Sequence, residues 1–485
     1  MISVNQLPRF WRLFKLKDVC KIVGGGTPST KNKNYFNGKI SWITPADLSN
    51  YTQKYISHGK RFLSEEGINN SSAKILPKGS VLFSSRAPIG YVVIAKKELC
   101  TNQGFRSLIP SEIVYNEYLY YYLKSSKKLA EQYASGTTFK EISGTKLGEL
   151  PFPLPPLDIQ YQIVKKIEQL LSELDNGIEN LKKAKQQLET YKQAVLKAAF
   201  EGKLTKEWRE QQDDLPSAEE LKKQIQQERK RYYEKQLEDW KREVKKWEED
   251  RKKGKKPRKP KKFKEIPPIK KELDELHSLP FNWQWIRLNG ITPKVEYGTS
   301  KKSHESGDVP VLRMGNMQDG QILWNDLVYT SDKEKIEKYE LKKGDVLFNR
   351  TNSPELVGKT SIYQGEQKAI FAGYLIRINQ FRSIVDSRYL NYYMNSITAK
   401  NYGNEVKTDA VNQSNINGTK LSSYPFPFTS FKEQNIISDE IDDKFSIVNS
   451  VIQTINDELL KANALRQSIL KKAFEGKLIN EKVLD

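Results

Sequence analysis

Residues 151–204 read PFPLPPLDIQYQIVKKIEQLLSELDNGIENLKKAKQQLETYKQAVLKAAFEGKL, and residues 425–478 read PFPFTSFKEQNIISDEIDDKFSIVNSVIQTINDELLKANALRQSILKKAFEGKL. The two stretches superpose without a gap, both opening on PFP and closing on AFEGKL. Apolar residues recur at three- and four-residue steps: Ile163, Ile167, Leu170, Leu174, Ile178, Leu181, Leu188 and Val195 in the first. The second answers with Ile437, Ile441, Phe445, Val448, Ile452, Ile455, Leu459, Ala462, Leu465 and Ile469. A stripe repeating every 3.5 residues over many turns must be buried against a partner helix. At 1.5 Å per residue each helix is expected to run roughly 70 Å. Two stripes of matching length in one chain make each the economical partner of the other.

The repeat extends outward from these helices. Leu7-Pro8 and Trp11 line up with Leu279-Pro280 and Trp283, and Gly26-Thr27 with Gly298-Thr299. LPKGSVLF at residues 76–83 matches LKKGDVLF at 341–348, Tyr118-Leu119 matches Tyr389-Leu390, and GTKL recurs at 144–147 and 418–421. Self-similarity of this extent fixes the architecture before any single motif does. The chain is a duplicated unit, globular module then long helix, with an insert between the copies. The expected boundaries are residues 1–150 (first module), 151–204 (first helix), 205–278 (insert), 279–424 (second module) and 425–485 (second helix). Each module, at about 140 residues, is large enough to bury a core of its own.

The first module reads as short strands and loops: residues 11–16, 40–44, 81–84 and 91–95 carry strand patterns. Residues 116–129 (NEYLYYYLKSSKKL) carry an amphipathic helix pattern, and Pro151, Pro153, Pro155 and Pro156 are expected to stop the module and launch the long helix. In the insert, Ser217 and Glu220 form a capping box ahead of a charged helix that Gly254 ends. Residues 251–264 (RKKGKKPRKPKKFK) are basic, contain prolines and lack an apolar stripe, so they are expected to be flexible. They could track DNA phosphates or serve as a solubilising tether.

The net charge of +21 and pI of 9.4 point to a polyanionic partner, with nucleic acid the default and an acidic membrane surface the alternative. No run of ~18 apolar residues occurs and the N-terminus lacks a signal-like apolar core, so a soluble cytoplasmic protein without membrane contact is expected. Cys20 and Cys100 have no metal-site spacing and suit a reducing compartment, although one bridge stays open. His58, His277 and His304 lie far apart in sequence. Gly358-Lys359-Thr360 resembles the end of a phosphate loop, but Ser353 stands where that loop needs glycine. Asp345, Glu366 and Lys368 have the loose spacing of a metal-dependent nuclease, yet Ser80 replaces Asp345 in the repeat. No catalytic or metal-ligating set survives.

The binding signal is distributed over polar loops. In the first module the candidates are Thr27, Ser29, Lys31, Lys33, Thr44, Asp47, Ser85, Arg86, Asn102, Gln103, Thr137, Thr138 and Lys140. In the second they are Thr299, Ser300, Lys301, Arg313, Asn316, Arg350, Asn352, Lys407, Asn412 and Gln413. Lys and Arg suit phosphates, while Arg on guanine and Asn or Gln on adenine suit base edges.

WITPADL (residues 42–48), LFSSRAPIGYV (82–92), TNQGF (101–105), KEISGTKL (140–147) and PFPLPPLDIQ leading into QAVLKAAFEGKLT together resemble the specificity subunits of type I restriction–modification systems. The second module departs more, reading NRTNSPELVG (349–358) in place of SSRAPIG. The resemblance implies an α+β fold in which two target recognition domains each read half of a split double-stranded DNA site. It implies that the two long helices pair antiparallel as a spacer, a direction the bare sequence leaves open because the insert could span a helix length at ~3.3 Å per residue. It implies an adaptor with no active site and no cofactor of its own. Two modification subunits would bring S-adenosylmethionine, and two restriction subunits ATP and magnesium. A coiled-coil scaffold that binds proteins only, or a stand-alone nuclease or methyltransferase, are the competing readings.

Overall fold

The computed structural model describes residues 7–136, 140–266, 269, 276–411 and 413–479. It forms two compact units, Met1–Ala184 with Thr454–Asp485, and Lys185–Gln453. The long helices, Leu157–Phe200 and Phe431–Phe474, therefore each contribute one half to each unit.

In the first unit a five-stranded sheet runs in the order Cys20–Gly24, Phe105–Pro110, Val81–Ser84, Val92–Ala95, Tyr55–Ile56. A three-stranded sheet, Arg61–Leu63, Ile40–Ile43, Cys100–Thr101, stands beside it. The second unit repeats the scheme with Lys294–Tyr297, Leu375–Asn379, Val346–Asn349, Thr360–Ile362, and with Val328–Thr330, Val309–Leu312, Ile370–Phe371. Strand register corrects one alignment expected from sequence. Gly24 pairs Arg106 and Tyr297 pairs Ile376, so Gly25 is the counterpart of Gly298. Both glycines press on backbone: a Cβ on Gly25 would meet the Asn102 carbonyl oxygen at 1.9 Å, and one on Gly298 the Phe371 oxygen at 2.2 Å.

Of the prolines expected to launch the first long helix, Pro155 and Pro156 do stand directly before its start at Leu157. Pro151 and Pro153 form a strand instead, as do Pro425 and Pro427 of the repeat. Pro151–Leu154 pairs antiparallel with Arg12–Lys15, and Pro425–Phe428 with Gln284–Arg287. In a two-stranded ribbon only alternate residues donate across the pair, so prolines spaced by two can occupy the outward positions. Their outward carbonyls are taken by tyrosines: Tyr118 donates to Pro153 O at 2.8 Å, and Tyr389 to Pro427 O at 2.9 Å. The helices then start at Leu157 and Phe431, and a glutamine fixes each start. Gln160 is fully buried, donates to Pro155 O and Ile113 O at 2.9 Å, and accepts from Tyr115 N at 2.8 Å. Gln434 does the same with Thr429 O, Ile384 O and Asp386 N.

The AFEGKL ends close the opposite units. In the first unit Phe474 sits 5.2 Å from Tyr118 and 5.4 Å from Tyr122, ring centroid to ring centroid. In the second, Phe200 sits 5.2 Å from Tyr389 and 5.1 Å from Tyr393. Each helix ends in a Schellman motif, Lys477 N on Lys472 O and Lys203 N on Ala198 O, both at 2.8 Å. The left-handed residues are Gly476 and Gly202, both at φ +71°, where a Cβ would strike Pro8 at 2.3 Å or Pro280 at 2.4 Å. Thus the LPxxW and AFEGKL repeats are two halves of one clasp, made once in each unit.

Within the first unit Ile159, Ile163, Val164 and Ile167 share a core with Leu470, Ala473 and Phe474, and Asp175 pairs with Arg466. Within the second, Val195, Leu196, Ala199 and Phe200 share a core with Ile437 and Ile441, and the Lys192 ammonium lies 5.5 Å over Phe445. The start of each helix meets the end of the other, so the pair is antiparallel. The apolar stripe is buried or half-buried except at Leu465, which is half exposed. It borders a groove facing Gly177, whose missing side chain leaves open space.

Two further expectations are corrected. The helix expected over residues 116–129 is two, Asn116–Ser125 and Lys127–Tyr133, broken at Ser126, whose φ of −92° and ψ of 7° leave the helical region. The basic run of the insert is also held in place: Trp240 and Trp247 of the helix Ala218–Glu249 donate to Pro257 O and Gly254 O at 3.0 and 3.2 Å. Cys20 and Cys100 are buried and unbridged, and burial pushes their thiols up to about 12 and about 11. Among the described residues no helix is long and apolar enough to cross a membrane.

The clasp gives a local prediction. Phe474→Ala should destabilise the first unit by ~3–5 kcal/mol, and Phe200→Ala the second by a similar amount. Amide exchange should quicken in Asn116–Ser125 for the former and Ser387–Met394 for the latter. Equal loosening of both helices by either variant would contradict the assignment.

Candidate nucleic-acid interface

The described parts of the loops that carry the first module's candidates gather around one of them, residues 101–106. Gly26 N donates to Thr101 O at 2.9 Å, and the Thr27 hydroxyl bonds to the Gln103 amide oxygen. Asn102 N donates to Ile43 O at 2.9 Å, which ties in residues 44–47. Ser85 N donates to Gly104 O at 2.8 Å, and Ile142 N donates to Ser85 O at 3.0 Å. The strand ends thus hold the other loops around this one, with Phe105 and Ser85 buried beneath them.

Several candidates commit their polar atoms to this scaffold. The Thr44 amide and hydroxyl both donate to Asp47 Oδ2, at 2.8 and 2.7 Å, and Lys60 N donates to Oδ1 at 3.0 Å. Burial alone would raise the Asp47 carboxyl, but these hydrogen bonds outweigh it and hold it below the usual carboxylate range. Ser85 is fully buried, its hydroxyl on Gly104 O at 3.1 Å, and Asn102 Oδ1 accepts from Gly104 N at 3.0 Å. Arg86 leans on Glu141 at 3.4 Å. Gln103 and Lys140 are exposed, as are Ser29, Lys31 and Lys33. The last three follow Thr27 onto a loop that packs beside the small sheet, where Tyr35 O accepts from Ser64 N at 3.0 Å. Thr137 and Thr138 lie outside the described residues.

Arg106 joins the site although it stood one position beyond the TNQGF motif. Its guanidinium reaches Glu141 at 3.1 Å and Gln103 O at 3.0 Å, so Glu141 orients both Arg86 and Arg106. The signal for it was strand alternation, which places residue 106 at a strand start directly after the loop.

The second module builds the same cluster around residues 372–374. Thr299 N donates to Phe371 O at 2.9 Å, Gly373 N to Thr299 O at 2.7 Å, and Arg350 N to Tyr374 O at 3.0 Å. Ile416 N donates to Arg350 O at 2.8 Å, as Ile142 does to Ser85. Arg313 and Asn316 repeat the Thr44–Asp47 capping box. Asn316 Oδ1 accepts from Arg313 N at 2.9 Å and its amide donates to Leu323 O and Asn325 O, so Asn316 is buried and fully used. The Arg313 guanidinium pairs at 3.1 Å with Asp326. Arg350 lies 5.0 Å over the Tyr297 ring, whose hydroxyl accepts from Gly418 N at 2.7 Å. Asn352 pairs with Ser414 in a small sheet, Thr351–Asn352, Gln413–Asn415, Thr408–Ala410. Lys407 reaches Pro354 O at 3.4 Å. Ser300 and Gln413 are exposed. Exposed Lys301 pairs with Asp332 at 2.6 Å, and that hydrogen bond holds the ammonium above its ordinary value. Thr299 is buried, and Asn412 lies outside the described residues. Sequence reading missed Tyr374, since the repeat of TNQGF reads FAGYL.

Asp345, from the loose nuclease-like spacing, is committed elsewhere. Its carboxylate takes Arg377 at 3.0 Å, Arg382 at 2.5 Å and Lys342 N at 2.9 Å. Among the described residues no group of three or more His, Cys, Asp or Glu could hold a metal.

One loop cluster built twice on a pair of antiparallel helices defines a protein made by tandem duplication of a loop-bearing module. The family model for the type I restriction modification DNA specificity domain matches residues 8–190 and again 280–461, and the chain belongs to that family. It is 45% identical over 189 residues to the type I restriction enzyme MjaIX specificity subunit of Methanocaldococcus jannaschii, a match spanning 39% of this chain and 43% of that protein's length. It is 23% identical over 495 residues to the EcoKI specificity subunit of Escherichia coli, covering 98% of this chain and 91% of that one. In fold it is similar to the crystal structure of the HsdS subunit from Thermoanaerobacter tengcongensis, with TM-score 0.53, 18% identity and 97% and 98% of the two chains covered. A chain from a structure of an assembled type I R-M system gives TM-score 0.66 at 18% identity, covering 97% and 99%.

Asp47 supplies a prediction. Because its carboxyl is depressed in the folded state, its contribution is present above the unfolded value of about 3.9 and is lost as pH falls through the lower folded value. Asp47→Asn should cost ~1 kcal/mol at pH 7, the scale of a lost cap. Its stability curve should approach that of the parent chain as pH falls below the ordinary carboxylate range. Curves that stay parallel throughout acid titration would remove the role given to the carboxylate.

Proposed function

We infer that this chain is the DNA-specificity subunit of a type I restriction–modification complex. Residues 7–150 and 279–424 are the two reading modules, each taking one half of a bipartite double-stranded site. The observation that carries the reading is the loop cluster itself, assembled twice from the same strand ends and presenting Gln103, Lys140, Arg106 and Arg86 in one copy and Arg350, Lys407 and Gln413 in the other. Arg and Gln offer the bidentate donors and acceptors that base edges require, and Lys suits phosphates. The paired helices are the natural element to set the number of base pairs between half-sites. Exposed apolar residues on them, Tyr161, Ile447 and Leu460, offer contact surface to partner subunits.

In this reading the chain supplies recognition and no chemistry. Two modification subunits would bring S-adenosylmethionine and methylate adenine, and two restriction subunits would bring ATP and magnesium, in the cytoplasm. The scaffold alternative predicts no salt-dependent binding to duplex DNA. Replacing residues 7–150 with the corresponding module of another family member tests the modular claim. Adenine methylation mapped across a genome should change in one half of the recognised motif and keep the other half and the spacing. A change in both halves, or in neither, would overturn it.

A further inference from the structure

The insert carries a surface that the reading modules do not account for. Residues 251–264 contain ten Lys and Arg and no acidic residue. Residues 255–266 have no helix or strand hydrogen bonding, yet their exposure repeats every third residue: Pro257, Pro260, Phe263 and Ile266 are half-buried and the basic residues between them are exposed. Three residues per turn is the period of a polyproline II helix, which rises 3.1 Å per residue. One edge of the ribbon is therefore fixed and two edges carry cations, in three pairs that repeat every ~9 Å over roughly 22 Å, with Lys264 beyond them beside Glu265.

The fixed edge is seated on the helix Ala218–Glu249. Trp247 and Trp240 hold the backbone at Gly254 and Pro257, and Arg229 donates to Lys264 O at 2.7 Å. Phe263 lies 6.0 Å from Tyr232 and 6.3 Å from Phe381, and the Arg229 guanidinium covers it at 4.6 Å. The helix is in turn anchored by Leu221 and Ile225 in the second unit's core, and by Arg229 on Asn289 O at 2.8 Å. Acidic residues of the helix pair with its own bases, as Glu228 does with Arg231 and Glu234 with Lys230. Among the described residues no ribbon cation makes an ion pair, although Lys256 and Lys259 lie 5.7 and 5.8 Å over Trp247 and Trp240.

We propose that this ribbon is a sequence-independent site for the phosphates of duplex DNA, separate from the reading loops. Protein interfaces are depleted in lysine and centre on buried apolar or aromatic anchors. Here the aromatics face inward and the outer edges offer cations, with exposed Glu265 at the far end the one anion, which fits a phosphate backbone. The ribbon is rooted at Asn289 and Phe381, beside the Lys294–Asn379 end of the paired strands, whereas the reading loops leave from the Tyr297–Ile376 end. It therefore contacts DNA outside the bases the second module reads, and adds affinity without changing the sequence chosen. The inference rests on the DNA reading above for the identity of its polyanion.

The test uses the full chain with Lys255, Lys256, Arg258, Lys259, Lys261 and Lys262 all changed to Gln, its helix content checked by circular dichroism. Binding to a random-sequence 40-bp duplex is measured by fluorescence anisotropy between ~50 and ~200 mM salt. The parent chain should bind, and the variant should bind at least ~10-fold more weakly at the lower salt. Its log–log salt slope should be shallower by up to ~5, about 0.9 for each phosphate no longer neutralised. The methylation motif of a complex carrying the variant should stay the same. Unchanged affinity and slope, or a parent chain that ignores random duplex, would overturn the proposal. So would an altered motif, or intact DNA binding accompanied by loss of a partner subunit on co-purification. Failure of the specificity reading shows in the module replacement instead, which leaves the ribbon and its salt slope untouched.

Discussion

The aromatic clasp at the end of each long helix is the contact on which the rest of the structure depends. Phe474 and Phe200 enter pockets made by Tyr118 and Tyr122, or Tyr389 and Tyr393, and the first tyrosine of each pair also holds the proline strand through its hydroxyl. One aromatic cluster thus joins the module's first strand, its last strand, its principal helix and the terminus of the distant helix. The glycine that follows turns the chain beneath Pro8 or Pro280, where no side chain fits. Sequence identity over AFEGKL in the two copies follows from this geometry: the phenylalanine fills the nest, the glycine adopts the left-handed cap, and the leucine packs at the module's edge.

Because each clasp uses the helix that begins beside the other module, neither module is complete with its own helix alone. The helix leaving residues 151–154 starts in the first unit and ends in the core of the second, and its repeat does the converse. Antiparallel pairing is then a requirement of the cores at the two ends, and does not depend on the heptad stripe between them. The stripe can consequently tolerate a defect, and it has one where Gly177 faces half-exposed Leu465.

The duplication and its helices were legible because length and periodicity survive in the raw chain. Other features were hidden for identifiable reasons. Prolines at residues 151 and 153 argued against a strand until a two-stranded ribbon offered positions with no donor to satisfy. The insert's ribbon has a period of three, which neither the helical nor the strand template detects, and its partners Trp240 and Trp247 lie on a helix seven and more residues away in sequence. The candidate loops lie together in the fold, but polar side chains near strand ends must first satisfy backbone groups. That need turned Thr44, Asp47, Ser85 and Asn316 inward, while Arg106 and Tyr374 entered from positions flanking the motifs.

The inward residues shape what the loops present all the same. The Thr44–Asp47 and Arg313–Asn316 boxes are the same turn built from different side chains, and Ser85–Ile142 and Arg350–Ile416 are the same backbone contact. The scaffold of hydrogen bonds is thus independent of which side chains it presents. In the first copy Glu141 holds two arginines; at the matching place in the second, Asn415 donates to the Thr351 hydroxyl at 2.7 Å and the neighbouring Arg350 is held by the Tyr297 face. An arginine restrained by a carboxylate and one restrained by a ring differ in direction and in net local charge, so the two copies offer different donor patterns from one backbone. A duplicated module whose loops fold through main-chain bonds can change what it reads without changing how it stands, and that is the physical condition for two halves of one chain to recognise unlike sequences.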